Sequence, residues 1–314
     1  MNEYTLREAT LRATLLTVAL LGFVASGCAG TPRQSAPEAA ALPLDFGGRV
    51  VDKFYAVEGH KPFVPDRKTT AGTADGLGGK HNDGAACDCD GKTILNDDGH
   101  DYRIKNYFGW DLKGVEGIYG PEFKNKKSVR PENLMTSKMS ADELYKWFAT
   151  GQAAGLPVYG HLVKPSHLRA AVDFIVAVRD GKLPRADDVW TLAKGSAGGY
   201  KLNGGADVAA GKANIAGKCA MCHGTDGTRI GLHGGDLSLG LFVRGKSYEA
   251  WFKVLAGHAG SQMKGQVPAG LPRKEAAKFI LDTLAALCDR AAFPKLADGR
   301  DVEDGDPRCG AYLK

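Results

Sequence analysis

The sequence lacks a strong charge of either sign. Its 41 Lys and Arg stand against 36 Asp and Glu, a formal +5 over 314 residues. No concentrated basic stripe marks a nucleic-acid surface, so DNA or RNA binding is not expected. The early apolar run at 13–27 is too short to cross a bilayer as a helix and has the length of a signal-peptide core. Cysteine is sparse, at 7 residues. Neither Cys288 nor Cys309 belongs to a second ligand pair, which argues against a structural zinc site.

What precedes and follows the apolar run points to export. Arg7 and Arg12 come before it, and it ends Ala25-Ser26-Gly27-Cys28. That ending resembles a bacterial lipobox, with Ala25 where Leu is commoner. Residues 1–27 are therefore expected to be a lipoprotein-type signal peptide, with Cys28 as the lipidated residue and 28–43, rich in Ala and Pro, as a flexible tether. Ordinary cleavage near Ala29 is the alternative. The expected location is the periplasm or cell envelope, with membrane contact through the lipid anchor.

Beyond the tether, a Gly-rich stretch at 193–205 divides the chain into segments 44–192 and 206–314, each long enough for a domain. The second contains Cys219-Ala220-Met221-Cys222-His223. Two thiols and an imidazole at this spacing fix a c-type haem: the cysteines form thioethers and His223 binds the iron. The intact motif occurs once, so one haem c per chain is expected. Of the other cysteines after Cys28, Cys87, Cys89, Cys288 and Cys309 allow three pairings. Cys288 with Cys309 is favoured, because a Cys87 to Cys89 bridge closes a small, strained ring. Cys87-Asp88-Cys89 has a second reading as a soft-metal or redox pair.

Helical patterning runs through both segments. A short helix is expected at 206–218, one over 248–256 capped by Ser247, and a longer one over 273–287. The first segment follows the same order. A capping box formed by Ser140 and Glu143 leads an apolar stripe, and a helix over 166–180 ends at Gly181.

This arrangement around CAMCH resembles class I cytochrome c. The resemblance implies an all-α fold with two cytochrome c-like domains in tandem, 44–192 and 206–314. It also implies a Met as sixth ligand from the loop before the last helix, where Met263 stands; His258 and His233 are the rivals. In the first segment, Gly84 and Asp88 stand at the positions of the first haem Cys and the proximal His. Leu156 replaces the Met in Leu156-Pro157-Val158-Tyr159-Gly160, so this domain is expected to be haem-free. The aromatics and glycines of 106–121 are expected to fill its pocket, and Lys124, Lys126, Lys127 and Arg130 to form a solvated face.

The function implied is one-electron transfer to redox partner proteins, not catalysis. Arg244, Lys246, Lys253, Lys264, Arg273 and Lys274 could steer an acidic partner. The alternative is a haem subunit of a larger oxidoreductase, for example in sulfur-compound oxidation, with the first domain for docking.

Overall fold

The structure, a computed structural model, describes residues 41–61, 102–126, 128–152 and 156–314. The expectations that fall on Cys28, Gly84, Cys87, Asp88 and Cys89 lie outside these residues. Among those described, the chain is helix-rich, and the same crossing occurs twice.

In the first half, α1 (Leu44–Lys53) packs against α5 (Pro165–Arg179). The contact is backbone against backbone at Gly47, where a Cβ would lie 2.0 Å from the carbonyl oxygen of Ala170. In the second half, α6 (Val208–Asn214) crosses α9 (Arg273–Ala286) in the same way. A Cβ on Gly211 would lie 2.0 Å from the carbonyl oxygen of Asp282. Only glycine permits either approach. Asp207 caps α6 by accepting from the Ala210 N–H, and its own N–H donates to Asp282, which ties the start of α6 to α9.

Between these helices the first half contains α2 (Ile104–Phe108), α3 (Ala141–Thr150) and α4 (Tyr159–Leu162). The expected capping box is present: the Ser140 hydroxyl accepts from the Glu143 N–H, and the Glu143 carboxylate accepts from the Ser140 N–H at 2.7 Å. Phe54, Phe108, Phe148 and Tyr159 pack edge to face in the core, and the Tyr159 hydroxyl donates to the Tyr102 carbonyl. Tyr107, Phe108, Trp110 and Tyr119 are buried, so the aromatics of 106–121 pack inward. Lys124 departs from the solvated face, because its ammonium lies 4.4 Å from the ring centre of Tyr248.

The Gly-rich stretch is not a bare tether. Trp190–Leu192 (β1) pairs antiparallel with Tyr200–Leu202 (β2), the one departure from helix among the described regular elements. Trp190 and Tyr200 are fully buried. Burial of these two aromatics anchors a hairpin that composition alone reads as linker.

The second half continues from α6 through a π turn (Ile215–Cys219) into α7 (Ala220–His223). It then crosses to α8 (Leu239–Ala256). α8 starts earlier than expected: Ser238 caps it, and Ser247 lies inside it, just after a kink at Lys246 (φ −142°). The Ser247 N–H donates to the Tyr200 hydroxyl at 2.8 Å, and its hydroxyl bonds the Val243 carbonyl. The Cys288–Cys309 disulfide forms as expected and closes the tail over the hairpin, where the Leu202 N–H donates to the Arg308 carbonyl.

The halves meet along α8. Phe252 packs against Trp110 and Phe174 of the first half, at 5.2 and 5.3 Å between ring centres. A Cβ on Gly48 of α1 would lie 2.4 Å from the Cβ of Ala256. Residues Ala41–Lys314 form one compact unit.

Candidate functional site

Cys219 closes the π turn, and Cys222 and His223 lie on α7. Gly224, at φ 85°, turns the chain sharply after His223. The loop then folds back on the motif: the Arg229 N–H donates to the His223 carbonyl at 2.9 Å, and the Arg229 guanidinium donates to the Met221 carbonyl at 2.6 Å. Asp226 holds that return by accepting from the N–H and hydroxyl of Thr228.

Met263 sits on a loop that leaves the end of α8. Gly257 and Lys264 bridge as an isolated antiparallel pair, and the His258 N–H donates to the Met263 carbonyl at 3.0 Å. The Ser261 hydroxyl accepts from the Met263 N–H and donates to the His258 carbonyl. The first half braces this loop from outside: the Asp45 carboxylate accepts from the Gly265 N–H, and Arg49 donates to the Ala256 carbonyl at 3.0 Å.

These pieces enclose one cavity of about 360 Å³, within the size range of cofactor pockets, about 300–1,000 Å³. Cys219 and His223 line it together with Met263, His258 and His233. Leu232, Leu239, Phe242, Val243, Val254, Leu284 and Leu287 supply an apolar lining. Cys222 is exposed and is not among the lining residues, but it is one helical step from His223. So three of the four residues expected to hold the cofactor converge on one space, and the fourth is adjacent.

The chemistry of these groups follows from their burial. Burial, with some repulsion from Cys222, pushes the Cys219 thiol up to about 11, so it stays protonated at neutral pH. Reactive dithiol motifs show the opposite shift. Burial lowers the His223 pKa and keeps the imidazole neutral, with a lone pair available to a metal. The His223 Nδ1 is buried with no hydrogen-bond partner. His258 is pushed down to about 4, by burial first and then by the charge of Lys253. Its Nδ1 lies 3.9 Å from Asp52. His233 stacks on Phe242 at 5.5 Å and its Nε2 is 3.3 Å from Lys246.

Residues that sequence reasoning missed stand on the remaining wall. Lys53 and Arg103 of the first half line the cavity, together with Lys253 and Glu249 of α8. Lys253 had been grouped among steering cations, but it is buried and paired with Asp52. Arg244 is also buried, on Asp301 and the carbonyls of Leu287 and Phe293, and Arg273 pairs with Asp188. Lys264 and Lys274 of that group are exposed. In the first half, the Met263 equivalent expected at Leu156 is a buried core side chain.

Among the described residues, no three His, Cys, Asp or Glu side chains gather as a metal site. A haem iron asks for less, one imidazole and one thioether, because the porphyrin supplies the other four ligands. The residues present fit that group: the free thiol of Cys219, a neutral histidine and a methionine line a largely apolar cavity, and the free thiol of Cys222 precedes His223 on the same helix. Comparison with protein-family profiles, with curated proteins and with solved structures found no match.

Proposed function

We propose that this chain is a monohaem c-type cytochrome that accepts and passes single electrons. The observation that supports it is the convergence of Cys219, His223 and Met263 on one apolar cavity, with Cys222 beside it. When bound, the haem supplies a ferric and ferrous couple that takes up and releases one electron. Cys219 and Cys222 would attach it, and His223 and Met263 would bind its iron. Burial keeps His223 neutral and able to bind metal, and the leucine and valine side chains supply an apolar surface for the ring. Met263 is favoured over its rivals because His258 turns its Nδ1 toward Asp52 and His233 is engaged by Phe242 and Lys246. With both residues on the iron, the haem would be suited to electron transfer and not to binding O₂ or peroxide.

The same reading takes both halves as cytochrome c-like folds, supported by the matched crossings at Gly47 and Gly211, and the first half as haem-free. An envelope location with a lipid anchor at Cys28 rests on the sequence. Among the described residues no helix is long and apolar enough to cross a membrane. Fractionation tests the anchor: Cys28→Ser releases the protein from membranes or blocks its processing, and a wild type already soluble after signal removal contradicts it.

The test of function is a redox titration followed by absorption. The wild type is expected to show one reversible one-electron transition. The Cys219→Ala, Cys222→Ala double variant is expected to carry no covalent haem. A wild type with no redox-active absorption overturns the reading.

A further inference from the structure

The wall that the first half contributes to the cavity is cationic. Lys53 stands at the end of α1 and Arg103 just before α2, and both line the cavity with Lys253. Arg103 and Lys253 both pair with the fully buried Asp52, which fixes their positions. Among the described residues that line the cavity, these three cations stand with the carboxylate of Glu249. Behind them, the Lys105 ammonium lies 5.0 Å from the ring centre of Trp110. Its pKa is pushed well down, by burial first and then by the charge of Arg103.

Cations set on one wall of an otherwise apolar cavity favour an occupant with one anionic edge, because charge-assisted hydrogen bonds to carboxylates are strong. A haem has such an edge in its two propionate carboxylates. We propose that the haem-free half completes the cofactor site of the other half: Lys53 and Arg103, with Lys253, receive the haem carboxylates. This rests on the haem reading above. It gives the first half a definite role: α1 and the segment before α2 form part of the cofactor site, and Asp45 and Arg49 steady the Met263 loop.

The test uses the full-length holoprotein. Lys53 is only partly buried, so Lys53→Gln is the variant best placed to fold. Removing a positive charge near the iron favours the ferric state. The midpoint potential is expected to fall, equivalent to about three- to tenfold toward the oxidised form for a charge at this range. Lys53→Arg is expected to restore it. Lys194→Gln, at a side chain 73% exposed and outside the cavity lining, is expected to keep the parent potential. Resonance Raman bands of propionate bending are expected to shift in Lys53→Gln and in Arg103→Lys, and not in Lys194→Gln. Unchanged potential and unchanged propionate bands in a Lys53→Gln protein that carries its haem overturn the proposal. Absence of haem from the parent overturns the haem reading and this one with it.

Discussion

Met263 lines the cavity, and Asp52 pairs with two of the cations that line it. Met263 is half-buried on a loop pinned by the His258 backbone and by Ser261. Met263→Ala is expected to lower the potential and to let added cyanide or imidazole bind, both read by absorption. A variant with the parent's spectrum and potential contradicts Met263 as ligand and points to His258. At Asp52, burial alone would raise the carboxyl pKa, but the charges of Lys253 and Arg103 outweigh it and hold the group well below the usual range. A carboxylate depressed on folding stabilises the fold above its unfolded pKa, about 4, and loses that contribution as pH falls through the folded value. Asp52→Asn removes the carboxylate that two buried cations share and is expected to cost about 3–5 kcal/mol. Urea unfolding between pH 7 and pH 2 checks both points: the variant is weaker at pH 7, and its stability falls less steeply below about pH 4.

At the scale of elements, each half depends on one glycine. A Cβ at Gly47 or Gly211 would sit 2.0 Å from a carbonyl oxygen of the partner helix. The helices must then move apart, so Gly47→Ala and Gly211→Ala are each expected to cost about 3 kcal/mol in urea unfolding. Gly204→Ala, with no atom within 4 Å of its Cβ position, is the neutral comparison. What was legible in the sequence at this scale was local. The Ser140 and Glu143 box, the end of α5 at Gly181 and the span of α9 are set by residues within a turn or two of one another. The start of α8 was not legible. Ser247 has the chemistry of a cap, but Tyr200, 47 residues away, takes its N–H and the helix runs on through a kink. Arg244 and Arg273 looked like solvent-facing cations for the same reason, because Asp301 and Asp188 come to them only on folding.

Across the whole molecule, two halves with the same crossing differ in what they keep inside. One fills its interior with Phe54, Phe108, Phe148, Leu156 and Tyr159, and the other keeps a cavity under CAMCH. The residues proposed to attach the haem were legible because covalent attachment would fix the spacing of Cys219, Cys222 and His223 in sequence. Its cationic wall was not: Lys53 and Arg103 precede Cys219 by more than a hundred residues and no motif links them. The halves are joined along α8 by Phe252 and by the pairing of Lys253 with Asp52, so separating them is expected to damage the site and not merely detach a docking module. The second half is expected to attach a single haem covalently, and the first half to attach none. Intact-mass analysis of the purified full-length protein, paired with a haem assay on the same sample, tests this most directly. One covalent haem per chain, lost in Cys219→Ala with Cys222→Ala, is the expected result. Two haems per chain, or none, would contradict it.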